Sequence, residues 1–260
     1  MNLIEPLIEK NKPPKSNSAT LPADGEHFLY SQTRIQATKK QHLKENRLIS
    51  GFKSGEWVES YKMLRTRCLQ VMDVMSWNTL AITSPGYNAG NSLTAANLAT
   101  SIAMELNRSV LLVDANFQNP SVCKLFGIKA EKGLGDYLLN DTPLNEMLIN
   151  PGVDRLVILP AGKEMLNSTE MLRSPKMIRL VDELKNRYPS RIIIFDLPPL
   201  LSQADTLGFS PYVDCVLLVV EEGYTKTSDL EQAALLLKEL NVLGTVLNKS
   251  SDNKIKYKSN

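Results

Sequence analysis

The window Pro85 to Ser92 reads PGYNAGNS and stands between an apolar run, Leu80 to Ile82, and a stretch of small helix-forming residues ending at Ala99. Strand, glycine-bearing turn and helix in that order describe a phosphate-binding loop. In such a loop, backbone N–H groups and the positive end of the helix face an anion. Against the pattern G-x-x-x-x-G-K-[ST], the window keeps Gly90 and Ser92 but carries Asn91 in the lysine slot. Gly86, Gly90, Asn91, Ser92 and Leu93 are therefore the candidate cofactor-binding residues of the loop, with Asn248 added from the far end of the chain. The cradle is present in outline. Its fixed cation is not.

Two aspartates follow strand-like runs. Val110 to Val113 ends in Asp114, and Ile192 to Phe195 ends in Asp196. In open α/β sheets ligands sit at the carboxyl ends of the strands, so both acids are expected to face the phosphate site. Magnesium takes oxygen ligands and is commonly held by a carboxylate, a hydroxyl and phosphate oxygens, which makes Ser92 and Asp196 the candidate metal pair. Asp114 and Asp196 are the candidate catalytic residues. Asp205, nine residues beyond Asp196, is positioned to cap a helix or to reach the same pocket.

The elements that must position these groups alternate along the chain. Trp57, Tyr61, Leu64, Cys68, Leu69 and Met72 recur at helical spacing, and the same helix sets Glu59, Lys62 and Arg65 in one charged row. The loop helix is expected to run to about Asn107. A turn and helical stretch covers Lys132 to Leu148, and a short strand covers Arg155 to Pro160. Two helices fit Asn167 to Tyr188, the second opening at Ser174-Pro175. A buried strand at Val213 to Val220, a helix at Ser228 to Leu240 and a strand at Leu243 to Asn248 complete the pattern. Strands and helices in alternation predict a doubly wound α/β fold with a mainly parallel sheet, that of a P-loop NTPase.

Composition bounds the rest. At 260 residues, 43% of them hydrophobic, one full core is expected. A formal charge of +2 gives no overall field for nucleic acid. Cys68, Cys123 and Cys215 are dispersed and lie in apolar surroundings, as reduced core thiols do. No apolar run approaches the roughly 18 residues needed to cross a bilayer, so the expected location is the cytoplasm, with membrane contact only through a partner. Residues 1–50 are expected to be a short amphipathic helix (Leu3, Ile4, Leu7, Ile8) and a disordered linker, residues 51–249 the folded domain, and residues 250–260 a polar tail.

The loop, the two strand-end aspartates and the terminal VLNK together resemble the bacterial tyrosine kinases of capsule and exopolysaccharide assembly. The resemblance covers about Glu56 to Lys249. It looks closest to the autokinases encoded with exosortase-associated systems, on stretches such as SIAMELNRSVLLVDA, LPAG and RYPSRIIIFDLPPLL. It implies ATP or ADP and magnesium as cofactors, an inner-membrane chain-length regulator as partner, and a ring of subunits joined through the E-x-x-R-x-x-R helix, here Glu59, Lys62 and Arg65. Departures are concentrated where the chemistry lies. The PGEGK[ST] loop of the family becomes Tyr87 to Ser92, keeping only Gly90 and the hydroxyl. In D-x-D-x-R-x-P the slots hold Asp114, Asn116, Gln118 and Pro120, so the second acid and the arginine are lost. The D-x-P-P motif is intact at Asp196, Pro198 and Pro199. Of the tyrosine cluster only Tyr257 remains. These losses predict a pseudokinase that regulates polysaccharide polymerisation through its partners. A weakly active autokinase or ATPase with a rescued site is the alternative.

Overall fold

The computed structural model describes residues 33–187 and 190–250. The expected helix at Met1 to Lys10 and the tail carrying Tyr257 lie outside the described residues. One eight-stranded sheet forms the frame: β1 (Arg34–Ile35), β2 (Thr79–Thr83), β3 (Ser109–Asp114), β4 (Ile149–Asn150), β5 (Leu156–Leu159), β6 (Arg191–Asp196), β7 (Cys215–Glu221) and β8 (Val242–Asn248). Their spatial order is β1-β4-β5-β3-β6-β2-β7-β8, and every pairing is parallel except β4 with β5.

The unbroken apolar runs of the central strands follow from burial on both faces. Leu111 and Val113 of β3, with Ile193 and Phe195 of β6, face one core. Val110, Leu112, Ile192 and Ile194 face the other. On the first face pack α7 (Pro175–Arg187) through Met177, Leu180, Val181 and Leu184, and α9 (Thr227–Leu236) through Ala233. The second face is covered by α2 (Glu56–Met75), α3 (Asn91–Ala103) and α4 (Val122–Phe126). Short helices α5 (Leu134–Asn140), α6 (Ser168–Leu172) and α8 (Ala204–Phe209) fill the connections, and α1 (Lys40–Glu45) precedes the domain proper. The expected doubly wound architecture is the one observed.

Three local expectations are corrected. The loop helix stops at Ala103 rather than near Asn107, because arginines from other elements take its terminal carbonyls: Arg65 donates to the Ser101 carbonyl at 2.9 Å and Arg155 to that of Ala103 at 3.1 Å. The helical stretch sought at Lys132 to Leu148 shrinks to α5 and a 3-10 turn at Leu144–Glu146, followed by the edge strand β4. By contrast α7 starts at Pro175 as expected, with the Ser174 hydroxyl accepting from the Met177 N–H at 3.2 Å.

The linker expected up to residue 50 also ends earlier. From Arg34 the chain joins the sheet edge as β1, and Leu43, Leu48 and Ile49 are buried. Ile49 donates its N–H to Asn97 Oδ1 at 2.8 Å, while Asn97 Nδ2 and Trp57 Nε1 each donate to the Arg47 carbonyl at 3.0 Å. A few well-placed apolar residues and backbone hydrogen bonds order this strap, so its polar average composition misled. Truncating one of those residues, Ile49→Ala, is expected to cost ~2–4 kcal/mol through the cavity left behind. Urea unfolding checks this, and an unmoved midpoint would show that the strap is not part of the folded core.

Candidate functional site

β2, β3 and β6 end side by side, which brings the loop after Thr83 and both strand-end aspartates to one edge of the sheet. The loop is sewn to the segment after β6. Leu200 N–H donates to the Ser84 carbonyl at 2.8 Å and Leu201 N–H to that of Pro85 at 3.2 Å. Thr83 and Thr206 hydroxyls both donate to the Pro198 carbonyl at 2.7 Å. This explains why the D-x-P-P segment belongs with the loop: it is the bed on which the loop lies.

At its far end the loop turns through Gly90, whose φ of 91° lies in the left-handed region. A Cβ there would stand 2.3 Å from Asn248 Nδ2, which itself donates to the Ala89 carbonyl at 2.8 Å. Asn248 thus clamps the loop from the end of β8 and leaves no room for a side chain at position 90. At Gly86 an added Cβ would meet nothing within 4 Å, so that glycine answers no local steric demand.

A cleft of about 260 Å³ opens beside the loop, lined on one side by Asn88, Gly90, Asn91, Ser92 and Leu93 and on the other by Asn116, Asn119 and Ser121. Its polar lining consists of amides, hydroxyls and backbone, with no lysine or arginine among the described residues. Of the candidate cofactor-binding residues, Gly90, Asn91, Ser92 and Leu93 line it. Gly86 and Asn248 stand behind the loop.

Asn91 occupies the decisive position. Its Nδ2 donates one hydrogen to the Leu197 carbonyl at 2.7 Å and the other to Asp196 Oδ1 at 3.2 Å. The side chain in the lysine slot therefore folds back onto the strand end, and both of its donors are consumed within the protein. Ser92 also hydrogen-bonds the Asp196 carboxyl, whose Oδ2 is buried without a partner.

Asp114 and Asp196 are partners in the β3–β6 register and both are buried. Burial pushes each carboxyl above the usual carboxylate range, and Asp196 is raised further by the neighbouring charge of Asp114. Asp114 is restrained by three backbone donors: the N–H groups of Ser121 and Val122 at 3.0 Å on Oδ2, and that of Asn116 at 3.3 Å on Oδ1. These bonds close the loop between β3 and α4 and cap the helix, so the residue expected to be catalytic also serves as a structural acceptor. Asn116 continues the closure, its Oδ1 accepting from the Asn119 N–H at 3.2 Å.

The residues fit magnesium with a triphosphate poorly: among the described residues no lysine or arginine lines the cleft, one Asp196 oxygen is bonded to Asn91 and the other is buried, and Asp114 already accepts three backbone N–H groups. The backbone cradle at the start of α3 remains suited to a modest anion.

Sequence reasoning missed Ser168, whose hydroxyl accepts from Gln118 Nε2 at 2.9 Å and so ties the cleft loop to α6. Asp205 sits on α8, accepts a hydrogen bond from the Thr169 hydroxyl and does not line the cleft. The charged row of α2 is satisfied within the chain: Lys62 pairs with Glu59 at 2.7 Å, and Arg65 with Glu105 at 2.9 Å. The cysteines are free thiols, and burial pushes Cys68 up to about 12. No helix of the described residues is long and apolar enough to cross a membrane.

Comparison with known proteins bears on this geometry. Residues 81–250 match the family model described as AAA domain. The chain is 30% identical over 181 residues to the tyrosine-protein kinase CpsD of Streptococcus agalactiae serotype Ia, covering 68% of this chain and 77% of that protein. It is 29% identical over 202 residues to the putative tyrosine-protein kinase EpsB of Ralstonia nicotianae, covering 77% of this chain but only 26% of EpsB. Among solved structures, the chimerical protein CapA2B2 superposes with a TM-score of 0.74 at 25% identity, over 83% of this chain and 93% of that one.

The buried acids carry a pH signature. Their folded pKa values lie above the unfolded ones, so the native state binds extra protons and stability falls as pH rises from the ordinary carboxylate range towards the raised values. Asp196→Asn removes one of these carboxyls. The variant is expected to melt like the parent near pH 4 and to be the more stable of the two at pH 7–8, where the parent carries the burden of its buried carboxyl. Thermal melts across that range check it, and a variant less stable at both ends would contradict the burden assigned to Asp196.

Proposed function

Because the chain belongs to the bacterial tyrosine-kinase family, carried on its AAA-type domain, we propose that it is a kinase-fold scaffold without phosphoryl-transfer activity. On this reading it holds a nucleoside phosphate weakly and regulates capsule or exopolysaccharide polymerisation and export through the proteins it binds. The observation that carries the proposal is the Asn91 amide, spent on Asp196 and Leu197 where the reaction requires a cation free to follow the terminal phosphate. Removing one preorganised charge-stabilising donor commonly costs ~3–4 kcal/mol, a factor of several hundred in rate. Asn116 adds to the deficit. An amide cannot accept the proton of a tyrosine hydroxyl, and this one is already occupied in closing its loop.

The partner we propose is an inner-membrane polysaccharide chain-length regulator, which would hold the protein at the cytoplasmic face. Its support is the kinship with proteins named for capsule and exopolysaccharide regions. Assembly into a homo-oligomer through α2 would require Lys62 and Arg65 to exchange their present partners for those of a neighbour. One contact favours the rival proposal of a weak autokinase, namely the hydrogen bond retained between Ser92 and Asp196.

The full chain incubated with magnesium and ATP is expected to give no phosphotyrosine on an immunoblot. A band that Asp196→Ala abolishes would overturn the proposal. By calorimetry, Asn91→Lys is expected to tighten ADP binding by roughly tenfold or more, the worth of one charge-assisted hydrogen bond. Unchanged affinity would show that the loop no longer serves phosphate at all.

A further inference from the structure

The wall of the cleft that faces the loop carries polar groups with no task in the fold. Ser121 stands at the start of α4 without capping it, since Asp114 already takes the N–H groups of Ser121 and Val122. The Ser121 hydroxyl is buried, borders the cleft and has no partner among the described residues. Asn119 beside it is bonded through its backbone N–H, which leaves its exposed side-chain amide uncommitted at the cleft. On the loop side Asn88 is likewise exposed, and the Tyr87 ring, 57% exposed, is steadied by Gln203 Nε2, which donates to its hydroxyl at 3.3 Å. Uncharged donors and acceptors next to an aromatic face suit a ligand that bears hydroxyl groups.

Charge decides which phosphate ligand can bring such a group. A terminal phosphate approaches its second ionisation at neutral pH, and no lysine or arginine among the described residues lines the cleft to meet it. Esterifying that phosphate with a sugar removes the second ionisation and sets hydroxyl groups where the terminal phosphoryl of a triphosphate would stand. The backbone N–H groups at the start of α3 then face a more weakly charged diphosphate, which asks less of a cradle without a cation.

We propose that the cleft takes the glycosyl-diphosphate end of a sugar nucleotide, with the diphosphate on residues 90–92 and the sugar between Tyr87 and the wall formed by Asn119 and Ser121. A volume of about 260 Å³ is small beside the roughly 300–1,000 Å³ usual for a whole ligand, so the nucleoside half lies outside. The inference rests on the reading that the cradle still holds a nucleoside phosphate, and it names the class: a glycosyl donor, the reactant consumed by the polymerisation the protein is proposed to regulate.

Calorimetry on the full chain in EDTA tests it, with UDP-glucose and GDP-mannose set against UDP, GDP and the free sugars. At least one sugar nucleotide is expected to bind about tenfold or more tightly than its parent diphosphate and its free sugar, the worth of one or two hydrogen bonds. Asn119→Ala and Ser121→Ala should each bring sugar nucleotide and diphosphate to similar affinity, and the diphosphate titration of the same variant reports whether its cradle is intact. Variants that keep the full preference would overturn the placement of the sugar. Diphosphates that bind as tightly as their sugar nucleotides would overturn this inference and leave the scaffold reading standing, whereas no binding by any of these ligands would overturn the nucleoside-phosphate reading as well. ATP with magnesium binding more tightly than either sugar nucleotide would overturn it in favour of the autokinase.

Discussion

A carboxylate enclosed by protein must be neutralised by a cation, a proton or a set of donors, and Asp196 sits where that choice decides the character of the site. It is buried at the end of a central strand, level with Asp114 on the next strand. Among the described residues, no lysine or arginine lines the adjoining cleft. The amide of Asn91 and the hydroxyl of Ser92 share the carboxyl, and burial favours the protonated form. The loop, its bed after β6 and the cleft lining are arranged around a group held by hydrogen bonds in place of a counter-charge. That arrangement is stable at rest and poorly suited to gathering the negative charge of a polyphosphate.

Much of the frame could be read from the residues. Apolar runs ending in acid identify β3 and β6, since a strand buried on both faces has no reason to alternate. The loop announces itself through Gly90 and Ser92 on either side of position 91. Harder to see was how the polar groups divide their bonds. Asp114 satisfies every positional criterion for a catalytic acid, yet its oxygens are taken by the N–H groups of Asn116, Ser121 and Val122. That result depends on how the chain closes after β3, and no spacing rule encodes it. The strap before α2 escaped for the opposite reason. Its few apolar residues look insufficient in sequence, but Leu48 and Ile49 enter a core built by other elements and are anchored by Asn97 of the loop helix.

That anchor has a structural consequence. Asn97 lies on α3 only a few residues beyond Ser92, and it joins the strap to the helix whose amino end forms the cradle. Tyr61 of α2 hydrogen-bonds the same Asn97, and burial raises its hydroxyl above the usual tyrosine range. The strap, α2 and α3 are thereby held as one body by a buried polar network, and such networks tolerate displacement badly once any member loses its partner. A pull on the strap would be felt at the loop through side chains already in contact.

The neutral residues at the site are not idle replacements. Asn91 binds the strand end, Asn116 closes its own loop, and Gln118 reaches Ser168 on α6. Each occupies a slot that is charged in the family pattern, and each preserves the local shape through hydrogen bonds that need no counter-ion. Erosion without constraint on shape would leave orphaned donors and a collapsed loop. Here the loop is stitched at Ser84, Pro85 and Ala89, and the amides of all three substituted residues are bonded. The shape of the loop is thus held by hydrogen bonds at the positions that are charged in the family pattern, while the two strand-end acids stay.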